Sequence, residues 1–192
     1  MCMFKISTRE KIIKTADELF YKNGFDHTSF ADVASNVGIS RGNFYHHFKS
    51  KDDILAAVIE HRKKNTKKML EEWERDARSP KGRIKCYIDI LIKNQTLIKE
   101  FGCPVGTLTN EMAKLKHAST EDAASIFSLF KYWLTEQFEK GGCQNNADRL
   151  ALHVLSWSQG TVTIYNAFKD DDFLKNEIRQ IESWLDLQIK EN

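Results

Sequence analysis

Residues 27–51 read HTSFADVASNVGISRGNFYHHFKSK, and this pattern predicts two short helices joined by a tight turn. Ser29 suits the N-cap of the first helix, because its hydroxyl can accept an unpaired backbone N–H and Asp32 follows three residues later. Gly38 suits the end of that helix, since glycine enters the left-handed conformation at little cost. Ser40 then suits the N-cap of the second helix. The stretch therefore predicts a helix–turn–helix.

The second of these helices has one inner face and one open face. Phe44 and Phe48 are four residues apart, so both rings should point into a small core. The open face can donate hydrogen bonds to base edges and phosphates, and its residues are Arg41, Gly42, Asn43, Tyr45, His46 and His47. Lys51 follows in the first turn of the next helix, where the helix dipole would also stabilise a phosphate. Since the second helix of a helix–turn–helix lies in the major groove, this face is typical of DNA binding.

The segment GISRGNFYHHFKSKDDIL, residues 38–55, resembles the signature of the TetR/AcrR family of bacterial transcriptional regulators. The features shared with that signature are the glycine of the turn, the small capping residue that follows it, an aromatic residue followed by tyrosine, the pair His-Phe, and a lysine. The resemblance is motif-specific over about the first 55 residues, and beyond them it rests on length and helix layout. We predict a DNA-binding set of Ser29, Ser40, Arg41, Gly42, Asn43, Tyr45, His46, His47 and Lys51.

Within this set, two kinds of contact are expected. Arg41, Asn43 and His46 would contact base edges, with guanine favoured for Arg41 and adenine for Asn43. The predicted phosphate contacts, which set the register on the duplex, come from Ser29, Tyr45, His47 and Lys51.

Apolar side chains recur along the whole chain at helical rather than alternating spacing, and the chain has only two prolines. This predicts an all-α fold, and the resemblance implies about nine helices. Three helices over residues 8–48 would form an N-terminal head, the first of them beginning at Ser7 or Thr8. We therefore expect a helix–turn–helix DNA-binding domain at 1–50 and a helical ligand-binding and dimerisation domain at 51–192.

The predicted bounds of the later helices rest on capping residues and on helix-breaking residues. A fourth helix at 51–77 is expected to belong to both the head and the body. A fifth would begin at Ser79, with proline in its first turn, and continue to Phe101 with Gln95 facing inward. One of the asparagines at 145 and 146 is predicted to cap the eighth helix.

Charge is unevenly distributed along the sequence. Residues 1–68 hold 13 Lys/Arg against 8 Asp/Glu, whereas residues 69–192 hold 16 against 19. A basic head on a mildly acidic body suits a protein that presents one end to a polyanion. The basic run HRKKNTKK at 61–68 could contact nucleic acid, but a solvated helix face is favoured because the run lies more than a Debye length from Lys51.

Cysteine spacing and hydropathy argue against a zinc-binding, a disulfide-stabilised or a membrane-spanning protein. Four cysteines occur without a close pair, namely Cys2, Cys86, Cys103 and Cys143. We therefore expect no structural zinc, no other metal or cofactor, and no disulfide framework. The N-terminal sequence has no apolar signal region, and no apolar run reaches the roughly 20 residues of a membrane helix. A bacterial cytoplasmic location without a membrane partner is expected.

The resemblance also implies a homodimer and a small-molecule ligand. The last two helices carry more apolar surface than a terminal pair needs, and the family pairs them across a dimer, here through about residues 146–190. The alternative is that both helices close the core of a monomer. The candidate residues for ligand or redox sensing are Tyr87, Gln95, Cys103, Phe130, Trp133 and Trp157, although at helical spacing each of them also suits a plain core.

Cys103 is the sharpest of these candidates. It precedes Pro104 at a predicted helix start, where unpaired N–H groups and the helix dipole would favour a thiolate. Some members of the family carry a similar Gly-Cys-Pro turn, and thiol-based sensing occurs among them. Cys103 would then react with electrophiles or oxidants; the alternative is a small buried residue in a crowded turn.

Two rival functions remain to be compared. An enzyme is disfavoured because no nucleophile-elbow, zinc-protease, P-loop or dinucleotide motif occurs. A protein-interaction adaptor would use the same head against another protein. We predict a transcriptional regulator, a repressor that binds a palindromic operator on double-stranded DNA as a homodimer. A small-molecule or electrophile inducer would release it.

Overall fold

The computed structural model describes residues 6–190 of the chain, which form ten helices and no strands. The helices are α1 (Thr8–Asn23), α2 (Phe30–Val37), α3 (Arg41–His47), α4 (Lys51–Asp76), α5 (Pro80–Lys93), α6 (Gln95–Phe101), α7 (Pro104–Leu115), α8 (Thr120–Lys140), α9 (Ala147–Phe168) and α10 (Asp171–Gln188). The all-α prediction is confirmed. None of these helices combines the length and the hydropathy needed to cross a membrane.

The chain divides into two compact units. The first takes in the chain up to Lys64 together with Thr107–Ala124, and the second takes in Asn65–Gly106 and the chain from Ser125 onward. By their residue ranges α4, α7 and α8 each contribute to both units. All four tryptophans belong to the second unit. A domain boundary at residue 50 stays a prediction.

Serine–carboxylate pairs begin three helices of the first unit. Ser7 with Glu10 at α1 and Ser29 with Asp32 at α2 form reciprocal capping boxes. At α4 Ser50 makes the same exchange with Asp53, both bonds measuring 3.0 Å. Each pair satisfies backbone N–H groups that a helix start leaves open. The predicted cap at Ser29 is confirmed, and of the two predicted starts of the first helix Ser7 is the cap.

The turn between α2 and α3 closes as the sequence predicts. Gly38 has φ 75° and ψ 36°, the left-handed conformation, and its N–H donates to the carbonyls of Ala34 and Ser35. Ser40 then caps α3 by accepting the N–H of Asn43 at 3.3 Å. These two residues fix the start of α3 directly after the end of α2.

Each unit has its own apolar core. In the first unit the fully buried side chains include Ile12, Ala16, Val33, Phe44, Ile54, Leu55 and Val58 from α1 to α4, together with Met112 of α7 and Ala123 of α8. In the second unit they include Ile84, Ile88, Ile126, Leu134, Phe138, Val154, Leu174 and Leu185. Both cores follow the helical spacing of apolar residues in the sequence.

Two expectations about the helices are wrong. The predicted fifth helix is interrupted at Asn94, which is the C-cap of α5 and whose side chain donates to the Ile90 carbonyl at 3.0 Å. Gln95 consequently begins α6 and is exposed rather than inward. Asn146 occupies the predicted N-cap position of α9, although its side chain makes no capping hydrogen bond.

The basic run at 61–68 is only partly a solvated face. Lys64, Lys67 and Lys68 are exposed, as predicted. Arg62 is buried, and its Nε donates to Asp17 Oδ1 of α1 at 2.6 Å. The prediction is therefore wrong for Arg62, because an ion pair across the first unit takes this side chain out of solvent.

Candidate nucleic-acid interface

The inner face of α3 is anchored by aromatic packing. Phe44 is 1% exposed, and its ring meets that of Phe30 edge-on, with centroids 5.1 Å apart. Phe48 lies one turn further along, 6.4 Å from the Phe44 ring, and is buried too. These contacts hold α3 against α2, so the opposite side of α3 is left open.

The open side of α3 carries the polar residues predicted from the sequence. Arg41, Gly42, Asn43, Tyr45 and His46 are exposed, and His47 is half-buried. The Tyr45 ring stacks on Phe30 with a centroid distance of 5.6 Å and an interplanar angle of 23°. Nothing described lies within 4 Å of the place where a Cβ of Gly42 would stand. The protein itself therefore does not require glycine there.

A shallow groove of about 250 Å³ runs along the contact between α2 and α3. Its lining consists of Ser29, Phe30, Ala31, Ala34, Arg41, Phe44 and Tyr45. Three residues predicted to contact DNA, from two helices, thus share one concave surface. The structure brings Ser29, Arg41 and Tyr45 together.

Ser29 and Lys51, two of the predicted phosphate contacts, already have partners inside the protein. The Ser29 hydroxyl donates to Asp32 Oδ2 at 2.7 Å. The same hydroxyl, and then the Ser29 backbone N–H, hold the pKa of the Asp32 carboxyl below its usual value. The Lys51 ammonium donates to the Asp26 carbonyl at 3.1 Å and lies 4.2 Å from the centre of the Phe25 ring. An ammonium has three donors, so phosphate contact by Lys51 stays a prediction.

Two cations near α3 were missed from the sequence. The exposed Lys49 donates from its ammonium to the Tyr45 carbonyl at 2.6 Å, just beyond the C-terminal end of α3. The Arg9 guanidinium lies 4.9 Å from the centre of the Phe48 ring. Lys49 was detectable, because it directly follows the helix–turn–helix. The position of Arg9 near α3 was not detectable, because the Phe48 ring that it contacts is far away in sequence.

An aromatic cluster lies within the second unit. The Tyr87 ring is 5.4 Å from that of Phe130, and Trp73 lies 5.6 Å from Trp133 and 6.5 Å from Tyr87. The structure thus brings together three of the residues predicted to sense a ligand, Tyr87, Phe130 and Trp133. Trp73 belongs to the same cluster but was not among the predicted residues. Glu74 accepts the indole N–H of Trp133 at 3.0 Å, which places a carboxylate at the edge of the cluster.

Polar groups in the second unit are also satisfied internally. The Tyr87 hydroxyl lies 2.9 Å from Ser158 Oγ, which itself donates to the Leu155 carbonyl, so Tyr87 is the donor. Burial raises the pKa of Tyr87, which keeps the phenol neutral. The Trp157 indole instead donates to Glu177 on α10 at 3.3 Å.

Cys103 lies at the start of α7 as predicted. Its Sγ accepts the N–H of Gly106 at 3.4 Å, and the side chain is half-buried. Cys86 and Cys143 are free thiols, whereas Cys2 lies outside the described residues. Within residues 6–190 no three His, Cys, Asp or Glu side chains are placed to hold a metal ion.

The last two helices leave apolar surface uncovered. Leu152, Ile164 and Phe168 of α9 and Leu187 of α10 are 48%, 42%, 73% and 74% exposed. A groove of about 550 Å³ between these helices is lined by Arg149, Leu150, Leu152, His153, Ser156, Trp184 and Gln188. This surface lies within the range predicted for dimerisation.

Two family models match this chain. The model of bacterial regulatory proteins of the tetR family covers residues 12–58, which contain the helix–turn–helix. The model of the LmrA/YxaF-like transcriptional regulator C-terminal domain covers residues 64–180, more than half of the chain. Together they account for most of both compact units.

Individual relatives agree with the family models. An HTH-type transcriptional regulator from the lacX 3′ region of Lactococcus lactis subsp. lactis is 32% identical over 175 residues, which is 88% of this chain and 89% of that protein. YxaF of Bacillus subtilis (strain 168) is 23% identical over 168 residues, 85% of this chain and 87% of YxaF. A TetR transcriptional regulator from Legionella pneumophila has a crystal structure that matches with a TM-score of 0.83 and 25% identity, covering 98% of this chain and 100% of that chain. The chain therefore belongs to the TetR family and is a DNA-binding transcriptional regulator rather than an enzyme.

Proposed function

We propose that this regulator is a repressor that binds a palindromic operator as a homodimer and is released by a small-molecule or electrophile inducer. The observation that carries the proposal is the open face of α3, where Arg41, Asn43 and His46 are exposed while Phe44 is buried. Helix α3 would enter the major groove with these three side chains towards the base edges. Such a regulator would act in the bacterial cytoplasm, where its DNA is.

The proposed DNA contacts divide into two groups. Arg41 would donate two hydrogen bonds to one guanine, and Asn43 would pair with an adenine. Tyr45 and His47 would hold phosphates, and Ser29 and Lys51 would have to share their present partners with the DNA. Ser40 and Gly42 belong to the same proposed surface through their positions at the start of α3.

The uncovered apolar surface of α9 and α10 supports self-association. One α3 reads few base pairs, so two heads about 34–36 Å apart are needed to read successive major grooves of a palindrome. Exposed side chains such as Leu152 and Leu187 would be buried against a second copy. The proposed interface lies within residues 146–190.

The inducer would act on the second unit. The Tyr87, Phe130 and Trp133 cluster supplies apolar area with a neighbouring carboxylate, and Cys103 supplies a half-buried thiol. Trp157 remains a candidate, whereas the exposed position of Gln95 does not favour an enclosed site. An inducer must bind the DNA-free state more tightly than the DNA-bound state, since equal affinity for both shifts nothing.

The proposal is tested by selecting genomic fragments from the source bacterium with the purified protein at two salt concentrations. We expect one near-palindrome with half-sites about one helical turn apart. Arg41→Ala should then relax the preference at one position at a cost of about 1–3 kcal/mol, whereas Lys51→Ala should weaken all sequences and reduce the salt slope. Recovery without a shared motif, or a dimeric motif unchanged by Arg41→Ala, would contradict this assignment of α3.

A further inference from the structure

We propose that Glu111 of α7 positions the DNA-binding helices by clamping the turn between α1 and α2, an inference that rests on the DNA-binding function proposed above. Glu111 Oε2 accepts the backbone N–H of Phe25 at 2.9 Å, and Oε1 accepts that of Asp26 at 2.9 Å. One carboxylate thus takes two adjacent N–H groups in parallel. Hydrogen bonds to an ionised acceptor are the stronger kind.

The turn is shaped to receive this carboxylate. Gly24 has φ 86°, a conformation that side chains rarely adopt, and a Cβ built on it would lie 3.0 Å from Glu111 Oε1. Glycine at this position therefore serves both the bend of the chain and the close approach of the carboxylate. A side chain at residue 24 would therefore crowd the Glu111 carboxylate.

Further contacts from the first unit converge on the same turn. The Lys51 ammonium donates to the backbone carbonyl of Asp26 at 3.1 Å. Both backbone polar groups of Asp26 are therefore bound, the N–H by Glu111 and the carbonyl by Lys51. The His117 ring, which follows α7, meets the Phe25 ring edge-on at 5.3 Å. The His117 ring is held beside the turn by the N–H of Ser119, which lies 3.0 Å from its Nδ1.

The clamped turn leads directly into the DNA-binding helices. Thr28 follows two residues after Asp26; it is buried, and its hydroxyl donates to the Gly24 carbonyl at 2.7 Å. Ser29 then begins α2, and Phe30 of α2 carries the edge-on contact with Phe44 of α3. The placement of α3 thus depends on a turn whose two N–H groups are held by α7.

A released turn would lower the fraction of heads in the binding-competent arrangement. The apparent Kd then rises by the inverse of that fraction, equally for every operator sequence. This differs from losing a base contact, which acts at one position, and from losing a phosphate contact, which changes the salt slope. Glu111 is accordingly a positioning residue, since it would act on DNA binding through the turn that leads into α2 and α3.

The test compares Glu111→Ala and Glu111→Gln with Glu18→Ala, which removes an exposed carboxylate from α1 of the same unit. The two measurements are hydrogen exchange at the Phe25 and Asp26 amides and Kd for the operator fragment selected by the unchanged protein. Glu111→Ala should abolish protection of both amides and raise Kd about tenfold, within the usual range of coupling between sites. Glu111→Gln retains one acceptor oxygen, so its amide protection and its Kd should lie between those of Glu111→Ala and the unchanged protein.

Several results would overturn the inference. Rapid exchange of both amides in the unchanged protein would mean that the clamp does not form. Loss of protection with an unchanged Kd, or a lower melting temperature with an unchanged Kd, would leave Glu111 a local stabiliser only. A protein that selects no DNA fragment would instead refute the proposed function, even if Glu111 protects both amides. Should Glu111→Ala not fold, Glu111→Gln alone decides, since it keeps the length of the side chain.

Discussion

Two adjacent aromatic residues of α3 should lose very different amounts of stability when truncated. Phe44 is 1% exposed and contacts the rings of Phe30 and Phe48, so Phe44→Ala leaves a cavity in the first unit. Removing a buried phenylalanine costs about 3–5 kcal/mol. Tyr45 is 49% exposed, and Tyr45→Ala loses one stacked pair, worth about 0.5–1.5 kcal/mol. The difference between the two losses is therefore about 3 kcal/mol, a large part of the roughly 5–15 kcal/mol that stabilises a domain.

Urea unfolding followed by far-UV circular dichroism measures both losses in free energy. Operator binding by the folded fraction supplies the second readout, with Tyr45→Phe as the matched control because it keeps the ring and removes the hydroxyl. We expect Tyr45→Phe to be as stable as the unchanged protein and to bind DNA more weakly. Equal losses of stability for Phe44→Ala and Tyr45→Ala would refute the division of α3 into a packed and an open face.

Four further substitutions have effects that can be predicted from local geometry. Gly38→Ala forces a side chain into φ 75° and should cost about 1–2 kcal/mol, whereas Gly42→Ala within α3 should stabilise the fold by about 0.5–1 kcal/mol; thermal unfolding distinguishes them. Tyr87→Phe removes the buried hydrogen bond to Ser158 and should cost about 1 kcal/mol in urea unfolding, a value near zero arguing against that bond. Asp32 has a pKa below its usual 3.8, so its contribution is complete above that value and is lost as pH falls through the folded pKa. The stability of Asp32→Asn should therefore approach that of the unchanged protein in acid, and a difference that persists there would contradict the capping box.

Local features of the head were predictable because neighbouring residues determine them. Ser29 with Asp32, Gly38 and Ser40 each act within four residues, and the structure has them as the sequence predicts. The amphipathic spacing of Phe44 and Phe48 likewise predicted which side of α3 is buried. Turn chemistry and helical periodicity are short-range signals, so one sequence was sufficient.

Contacts between distant segments were not predictable in this way. Glu111 meets Phe25 across 86 positions, and Arg62 meets Asp17 across 45. No periodicity or spacing relates such pairs, since only the packing of whole helices brings them together. The break at Asn94 was missed for another reason: neither glycine nor proline marks it.

The distribution of tryptophan separates the two units spectroscopically. Trp73, Trp133, Trp157 and Trp184 all belong to the second unit, while the first has tyrosine but no tryptophan in its ranges. Selectively excited indole emission therefore reports on the second unit, whereas circular dichroism records helices in both. A denaturant or an inducer that melts the first unit alone would reduce ellipticity before it changes the emission. Coincident curves would instead show that the two units unfold as one cooperative body.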